Sequence, residues 1–345
     1  MARAPRFWQR RGPTALALWP ASRIWGSRVA RRMARSPSFL APVPVICVGN
    51  YTTGGEGKTP TAIALARLAV EEGLRPGFLS RGHGGVERGP VIVVERDTAW
   101  RVGDEPLLLA RVAPTVVSRD RPSGARLLIE KTGVDLIIMD DGFQNPSLGK
   151  DLVFVAADAE SGFGNGLVLP AGPLRAPLAV QLQRTDALVL IGEGAAAPGL
   201  ARLAARGNLD LFRAHLEPAS REGWAARPVL AFAGIGHPQK FFAGLEQVGA
   251  KFAGRIPFPD HHAFTADEAE MLLQRARSGA LRLVTTEKDL ARLYGASGKL
   301  GELAAASEPF KVRLVFDRPE AVRAMIRAAV ERVRTNRRRA LAVAQ

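Results

Sequence analysis

Short apolar runs of strand length alternate along this chain with stretches whose apolar residues recur at helical intervals. "VPVICV" (43–48) is continuous and rich in β-branched residues, the pattern of a strand buried on both faces. After a glycine-rich turn, "TAIALARLAVEEG" sets Ile63, Leu65, Leu68 and Ala69 at helical spacing, and Gly73 predicts the stop. "VIVVER" and "PTVVSRD" predict short strands, as does "PGFLSRGHGG", which runs into a glycine-rich loop. "GDEPLLLARVA" opens a helix, and "VDLIIMDDGFQ" predicts a buried strand ending on Asp140 and Asp141. Strands alternating with helices predict an α/β fold, a P-loop-type, doubly wound and mostly parallel sheet.

The pattern restarts beyond residue 175. "DALVLIGEG", "PVLAFAGIG", "LRLVTTEKD" and "FKVRLVFD" predict four strands with helices between them, a second α/β lobe that does not repeat the first. A basic amphipathic helix and tail close the chain. At 345 residues there is room for about two domains. The expected division is an N-terminal segment at 1–40, a P-loop lobe at 41–175, a second lobe at 176–330 and a basic tail at 331–345. The single cysteine, Cys47, lies in an apolar run; this excludes a disulfide framework and a cysteine-built zinc site and fits a reducing compartment.

Charge changes the picture at the N-terminus. The net charge is +15, and residues 1–36 hold nine arginines, from Arg3 to Arg35, with no acid. Trp8, Trp19 and Trp25 lie in the same stretch, and Trp25, Val29 and Met33 recur at helical spacing, with Leu18 a heptad before Trp25. Pro20 predicts a break or a start of a helix. Such a segment suits an anionic membrane surface. A mitochondrial transit peptide shares its arginines. A nucleic-acid arm would also be basic but has less use for interleaved Trp and Leu, so no nucleic-acid partner is expected. No apolar run reaches the roughly 18 residues of a membrane span.

The chemistry begins at "VGNYTTGGEGKTP" (48–60). A strand, a glycine loop and a helix opening on Lys-Thr are the parts of a phosphate cradle, with loop amides and the helix's positive end turned to the ligand. Thr52, Thr53, Gly54, Gly55, Glu56 and Gly57 form the loop; Lys58 reaches the β- and γ-phosphates of ATP, and Thr59 sets its hydroxyl on Mg²⁺. Thr52 stands where the strict pattern has glycine, and Gly54 and Gly55 compensate. Asp140, at the tip of an apolar strand, fits the second Mg²⁺ position; Asp141 is left for another task.

The ordered set "VGNYTTGGEGKTP", "LSRGHGG", "VGDEPLLLA", "MDDGFQN", "LPAGPLR", "AFAGIGHPQKFF", "FPDHHAFT" and "TTEKDLARL" resembles the tetraacyldisaccharide 4'-kinase (lipid A 4'-kinase) family over roughly residues 40–290. The resemblance implies transfer of the ATP γ-phosphate to the 4'-hydroxyl of a tetraacylated glucosamine disaccharide 1-phosphate, at the cytoplasmic face of the inner membrane. It also implies two α/β/α lobes joined by a two-stranded link. The N-terminal arginines and tryptophans would then grip the surface that holds the lipid. The resemblance places an acid of the "GDEP" motif near the acceptor hydroxyl with a histidine close by, hence Asp104 and His261, with Asp141 as competitor.

Gln144 is expected to bond nucleotide or substrate, and Arg119, Arg121 and Arg175 to meet substrate phosphate. His83, among Gly82, Gly84 and Gly85, suggests a mobile lid. Two departures stand out. Glu56 replaces a small neutral residue, so it should face solvent or a cation. Ala176 replaces an acid, which leaves Arg175 with no neighbour to orient it. The alternative reading is a membrane-associated P-loop switch or partitioning ATPase. In "TTEKD" the lysine directly precedes aspartate, which breaks the guanine-reading spacing.

Overall fold

The computed structural model describes residues 5–343, and side chains through residue 336. Thirteen strands are described: β1 Val45–Gly49, β2 Pro76–Ser80, β3 Val91–Ile92, β4 Thr115–Val117, β5 Leu136–Asp140, β6 Leu152–Asp158, β7 Ala187–Ile191, β8 Asp210–Pro218, β9 Val229–Ala233, β10 Phe252–Pro257, β11 Arg282–Thr286, β12 Ser307–Phe310 and β13 Val312–Phe316. Nine form one sheet in the order β13-β8-β7-β6-β1-β5-β2-β4-β3. Its pairs are parallel except β8 with β13 and β3 with β4. The central strands are buried along their whole length because helices cover both faces, which explains their unbroken apolar runs. β1, the cradle's strand, lies between β5 and β6, so the tips of all three converge.

The second sheet, β10-β9-β11-β12, is wholly parallel. The expected lobe boundary at 175/176 does not match this arrangement. "DALVLIGEG" and "FKVRLVFD" supply β7 and β13, which belong to the first sheet. Chain leaves that sheet along β8, builds the second, and returns on β13, paired antiparallel from Ala214↔Phe316 to Pro218↔Val312. The second lobe is thus an insertion between β8 and the edge strand β13 beside it, held by a two-stranded link. Spacing along the chain cannot reveal this, because strand order is a property of the sheet.

Both ends of the chain serve the first lobe. The helix Pro319–Val343 buries Val322, Ile326 and Val330 beside Leu65 of the cradle's own helix. Arg3, and residues 344–345 of the expected tail, lie outside the described residues. The helix Pro13–Met33 runs through Pro20 without a break. One face is docked: Ser22 Oγ accepts from the Ala171 amide at 2.9 Å, a Cβ on Gly26 would meet Pro177 at 3.3 Å, and Trp8 donates Nε1–H to the Pro170 carbonyl at 3.0 Å. These contacts hold the helix where the proline alone would end it. Val29 and Met33 of the expected surface stripe sit in the core, whereas Leu16, Trp19, Ile24 and Trp25 are exposed together with Arg23, Arg28, Arg31, Arg32 and Arg35. Among the described residues, no helix is long and apolar enough to cross a membrane.

Candidate active site

The loop between β1 and the helix Lys58–Glu71 turns on Gly57. Its φ of 83° is left-handed, and a Cβ there would lie 2.5 Å from Ile191 Cδ1, so only glycine fits. The turn aims the new helix's N-terminus along the tips of β5 and β6. Lys58 Nζ donates to the Gly54 carbonyl at 3.2 Å and lies 3.9 Å from Asp141 Oδ1. Burial lowers the Lys58 ammonium below its ordinary value, against the pull of Asp141. Thr59 Oγ1 donates to Asp140 Oδ2 at 3.3 Å.

Asp140 is buried, and its Oδ1 has no hydrogen-bond partner among the described residues. Burial, then the adjacent Asp141 charge, pushes it up to about 7. An orphaned carboxylate oxygen beside a threonine hydroxyl, short of positive charge, fits a small divalent cation that keeps several waters. Thr59 and Asp140 would hold Mg²⁺.

Asp141 has a different setting. It occupies left-handed backbone, φ 51°, where a non-glycine residue is uncommon. Arg175 donates Nη1–H to Asp141 Oδ1 at 2.7 Å and Nε–H to the Thr52 carbonyl at 2.9 Å. Burial works against the Asp141 charge, but Lys58 and Arg175 outweigh it and hold the carboxyl below the usual range. Arg175 therefore has an orienting neighbour after all, drawn from a strand tip remote in sequence.

Glu56 also departs from expectation. It is buried, not turned to solvent, and pairs with the Thr52 hydroxyl, while its Oε2 is without a partner among the described residues. Burial pushes it up from an ordinary 4.5 to about 7. A carboxyl whose ionisation is held back by burial, with one oxygen turned to Thr52, repels a triphosphate less than an exposed carboxylate would. Because the folded state holds this proton more tightly than the unfolded chain, stability falls as pH rises from about 4.5 to about 7. The loss attributable to Glu56 is about 3 kcal/mol. Urea unfolding of the nucleotide-free protein should therefore find Glu56→Gln gaining on wild type between pH 5 and pH 8. A difference that does not change with pH would refute this account.

Arg121 lines the cleft, but its fork is already engaged. It is 2% exposed and spends its fork on the carbonyls of Ser118, Asp140 and Asp141, bracing the tip of β5. Gln144 donates to the Asn50 carbonyl at 2.8 Å and to Gln181 Oε1 at 3.1 Å, so it ties β1's exit to the wall. Arg119 is exposed at the rim.

The other wall comes from the second lobe. One cleft of about 1500 Å³ is lined by the cradle, by Trp25 and Arg32 of the N-terminal helix, and by His261 and Lys288. His261, at φ 56°, places Nδ1 3.7 Å from Asp104 Oδ2. Asp104 opens the short helix Asp104–Ala110, where Gly103 is the cap residue. A Cβ on Gly103 would meet the His83 carbonyl at 2.5 Å, so glycine lets the His83 loop pack against the start of this helix. The His83 ring stands edge-on to His261, centroids 5.9 Å apart.

Asp104 is 4% exposed, behind the cleft wall, while its neighbour Glu105 lines the cleft. Burial, then Glu105, raises Asp104, whereas Lys288 holds Glu105 low despite its burial, through an ion pair of 2.8 Å. Glu105, Lys288 and Arg292 have no role assignable from the sequence alone; two acids in "GDEP" and two bases in "TTEKDLAR" are the available signal.

A nucleotide switch needs only the cradle's lobe. A second lobe that carries a histidine to within reach of an acid beside that cradle serves a second substrate, so the class is a P-loop kinase. Residues 14–331 match the family described as Tetraacyldisaccharide-1-P 4'-kinase, LpxK. A Chelativorans sp. (strain BNC1) protein named tetraacyldisaccharide 4'-kinase is 48% identical over 326 residues, covering 94% of this chain and 95% of that protein. One of the same name from Methylobacterium nodulans is 52% identical over 332 residues, with 94% and 95% covered. The crystal structure of Aquifex aeolicus LpxK in complex with ATP superposes with a TM-score of 0.69 at 27% identity, over 92% of this chain and 99% of that one. The chain belongs to the tetraacyldisaccharide 4'-kinase family.

Proposed function

We propose that this kinase moves the γ-phosphate of ATP onto the 4'-hydroxyl of a tetraacylated glucosamine disaccharide 1-phosphate, with the Asp104–His261 pair taking the hydroxyl proton. The observation that carries this reading is that one cleft joins the cradle of the first lobe to His261 of the second. Mg²⁺, when bound at Thr59 and Asp140, supplies charge neutralisation on the phosphates. Lys58 and the loop amides orient the triphosphate. Asp141, locked by Arg175, keeps Lys58 aimed at it. His261 opens onto the cleft, and the buried carboxylate of Asp104 stands behind it, so the two can pass the proton away from the hydroxyl. γ-labelled ATP, Mg²⁺ and the acylated disaccharide 1-phosphate are the test. Label on the lipid, with the added mass of one phosphoryl group, supports the reading; label released only as free phosphate supports a switch ATPase instead.

The acceptor's acyl chains hold it at a bilayer, at about 0.8 kcal/mol per buried CH₂. The enzyme works at the cytoplasmic face of the inner membrane on this reading. The support is the exposed face of Pro13–Met33, where Leu16, Trp19 and Ile24 stand among arginines, while Trp25 and Arg32 of the same helix reach the cleft. Deleting the helix would also remove core residues, so point changes are the cleaner test. Arg28→Gln with Arg31→Gln should lower partition onto anionic vesicles about thirtyfold at low salt, at about 1 kcal/mol per arginine. Sedimentation with vesicles checks this, and unchanged recovery would refute the anchor.

A further inference from the structure

Arg292 lies in the helix Glu287–Leu293, in the second lobe, and is 12% exposed at its side chain. Its guanidinium meets four partners. Nε–H donates to Asp104 Oδ2 at 2.8 Å, and Nη2–H donates to the same oxygen at 2.5 Å. Nη1–H donates to the Gly234 carbonyl at 2.7 Å and to Asp289 Oδ1 at 2.8 Å. Nη2 also lies 3.4 Å from His261 Nδ1. The anchor points are fixed in turn. Asp289 is fully buried, accepts from the Gly234 amide at 3.1 Å, and accepts from Thr286 Oγ1 at 2.6 Å. The Gly234 carbonyl that receives Arg292 also receives the His261 amide, at 3.0 Å. One planar fork therefore touches the acid from the first lobe, the histidine from the second, and the turn that carries the histidine.

We infer that Arg292 is a positioning residue for phosphoryl transfer: it docks the second lobe onto Asp104 and fixes the Asp104–His261 pair in register with the cradle, with Asp289 as its brace. This rests on the reading of that pair as proton acceptor. Two features favour it over a plain interlobe ion pair. Arg292 sets two N–H donors on one Asp104 oxygen while Nη1 holds Gly234 and Asp289, a planar spread that lysine cannot reproduce. Lys288, one turn earlier on the same helix, already joins the lobes through Glu105, so docking alone does not need Arg292. The charged groups facing Asp104 are Glu105, His261, Lys288 and Arg292; beyond His261 stand Asp260 and His83. Removing the Arg292 cation leaves an Asp104 carboxylate that holds a proton more tightly.

The test is steady-state and single-turnover kinetics across pH on the full chain, with Arg292→Gln, Arg292→Lys and Asp104→Asn. Arg292→Gln should lower kcat about a hundredfold or more with KM for ATP nearly unchanged. The acid limb of kcat/KM should move up by about one pH unit or more. Arg292→Lys, which keeps the charge but not the fork, should recover about tenfold of kcat and return the limb toward wild type. It also carries the test if Arg292→Gln does not fold. In an Asp104→Asn background, Arg292→Gln should cost little more, because its effect runs through Asp104. Multiplicative losses in the double variant, or an unmoved limb, would overturn the positioning role while leaving Asp104 in place. Wild-type turnover in Asp104→Asn alone would instead overturn the proton-acceptor reading on which it rests.

Discussion

Lys58→Met is expected to lower kcat by about a thousandfold or more, with the fold intact. Phosphoryl transfer offers the protein little covalent chemistry, so positioning and charge on the transferring group carry the catalysis. Lys58 is held for that task at both ends. Its helix begins at the Gly57 turn, and its ammonium is fixed between the Gly54 carbonyl and Asp141. Burial lowers its hold on the proton, and Asp141 works the other way, as phosphate would in the complex. Methionine matches the stem and removes only the charge; Asp141 keeps Arg175 as partner, so the variant's melting temperature should lie within a few degrees of wild type. Turnover of radiolabelled ATP onto the lipid measures the loss. Wild-type rates in a folded variant would remove the cradle from the mechanism.

Asp104→Asn carries the second large effect, an expected fall in kcat of about 10²- to 10⁴-fold, the range that proton transfer by a placed side chain supplies. Asparagine fills the same space but cannot hold the extra proton. It also strips Arg292 of its anionic partner, so the loss reflects basicity and register together. KM for ATP should change little, since Asp104 lies outside the cradle. Rates at saturating ATP separate the two parameters, and an Asp104→Asn enzyme with normal kcat would show that another group takes the proton.

Much of the architecture could be read from the order of residues. Unbroken apolar runs in β1 and β5 gave away a parallel sheet covered on both faces, because a strand with no wet face has no reason to alternate. The cradle was legible for a related reason. Gly57, Lys58 and Thr59 act within a few residues of each other, so local spacing carries their geometry. Asp140 was readable as the end of an apolar run. The lobe boundary was not, since β7 and β13 look the same in sequence whichever sheet they join. Val29 and Met33 looked like a membrane stripe because helical spacing shows that a face is apolar, but not what covers it.

The charged network divides along the same line. Sequence alone determined which chemistry is present: a triphosphate cradle, paired acids at 104–105 and 140–141, histidines at 261 and 262, and a basic amphipathic start. Tertiary structure alone decided the partners. It put Arg175 on Asp141, Glu56 against Thr52, Arg121 under the tip of β5, and Arg292 on Asp104 from 188 residues away. Charge and hydrogen bonding act over a few ångströms of space, and only the folded sheet order sets which distant residues come that close.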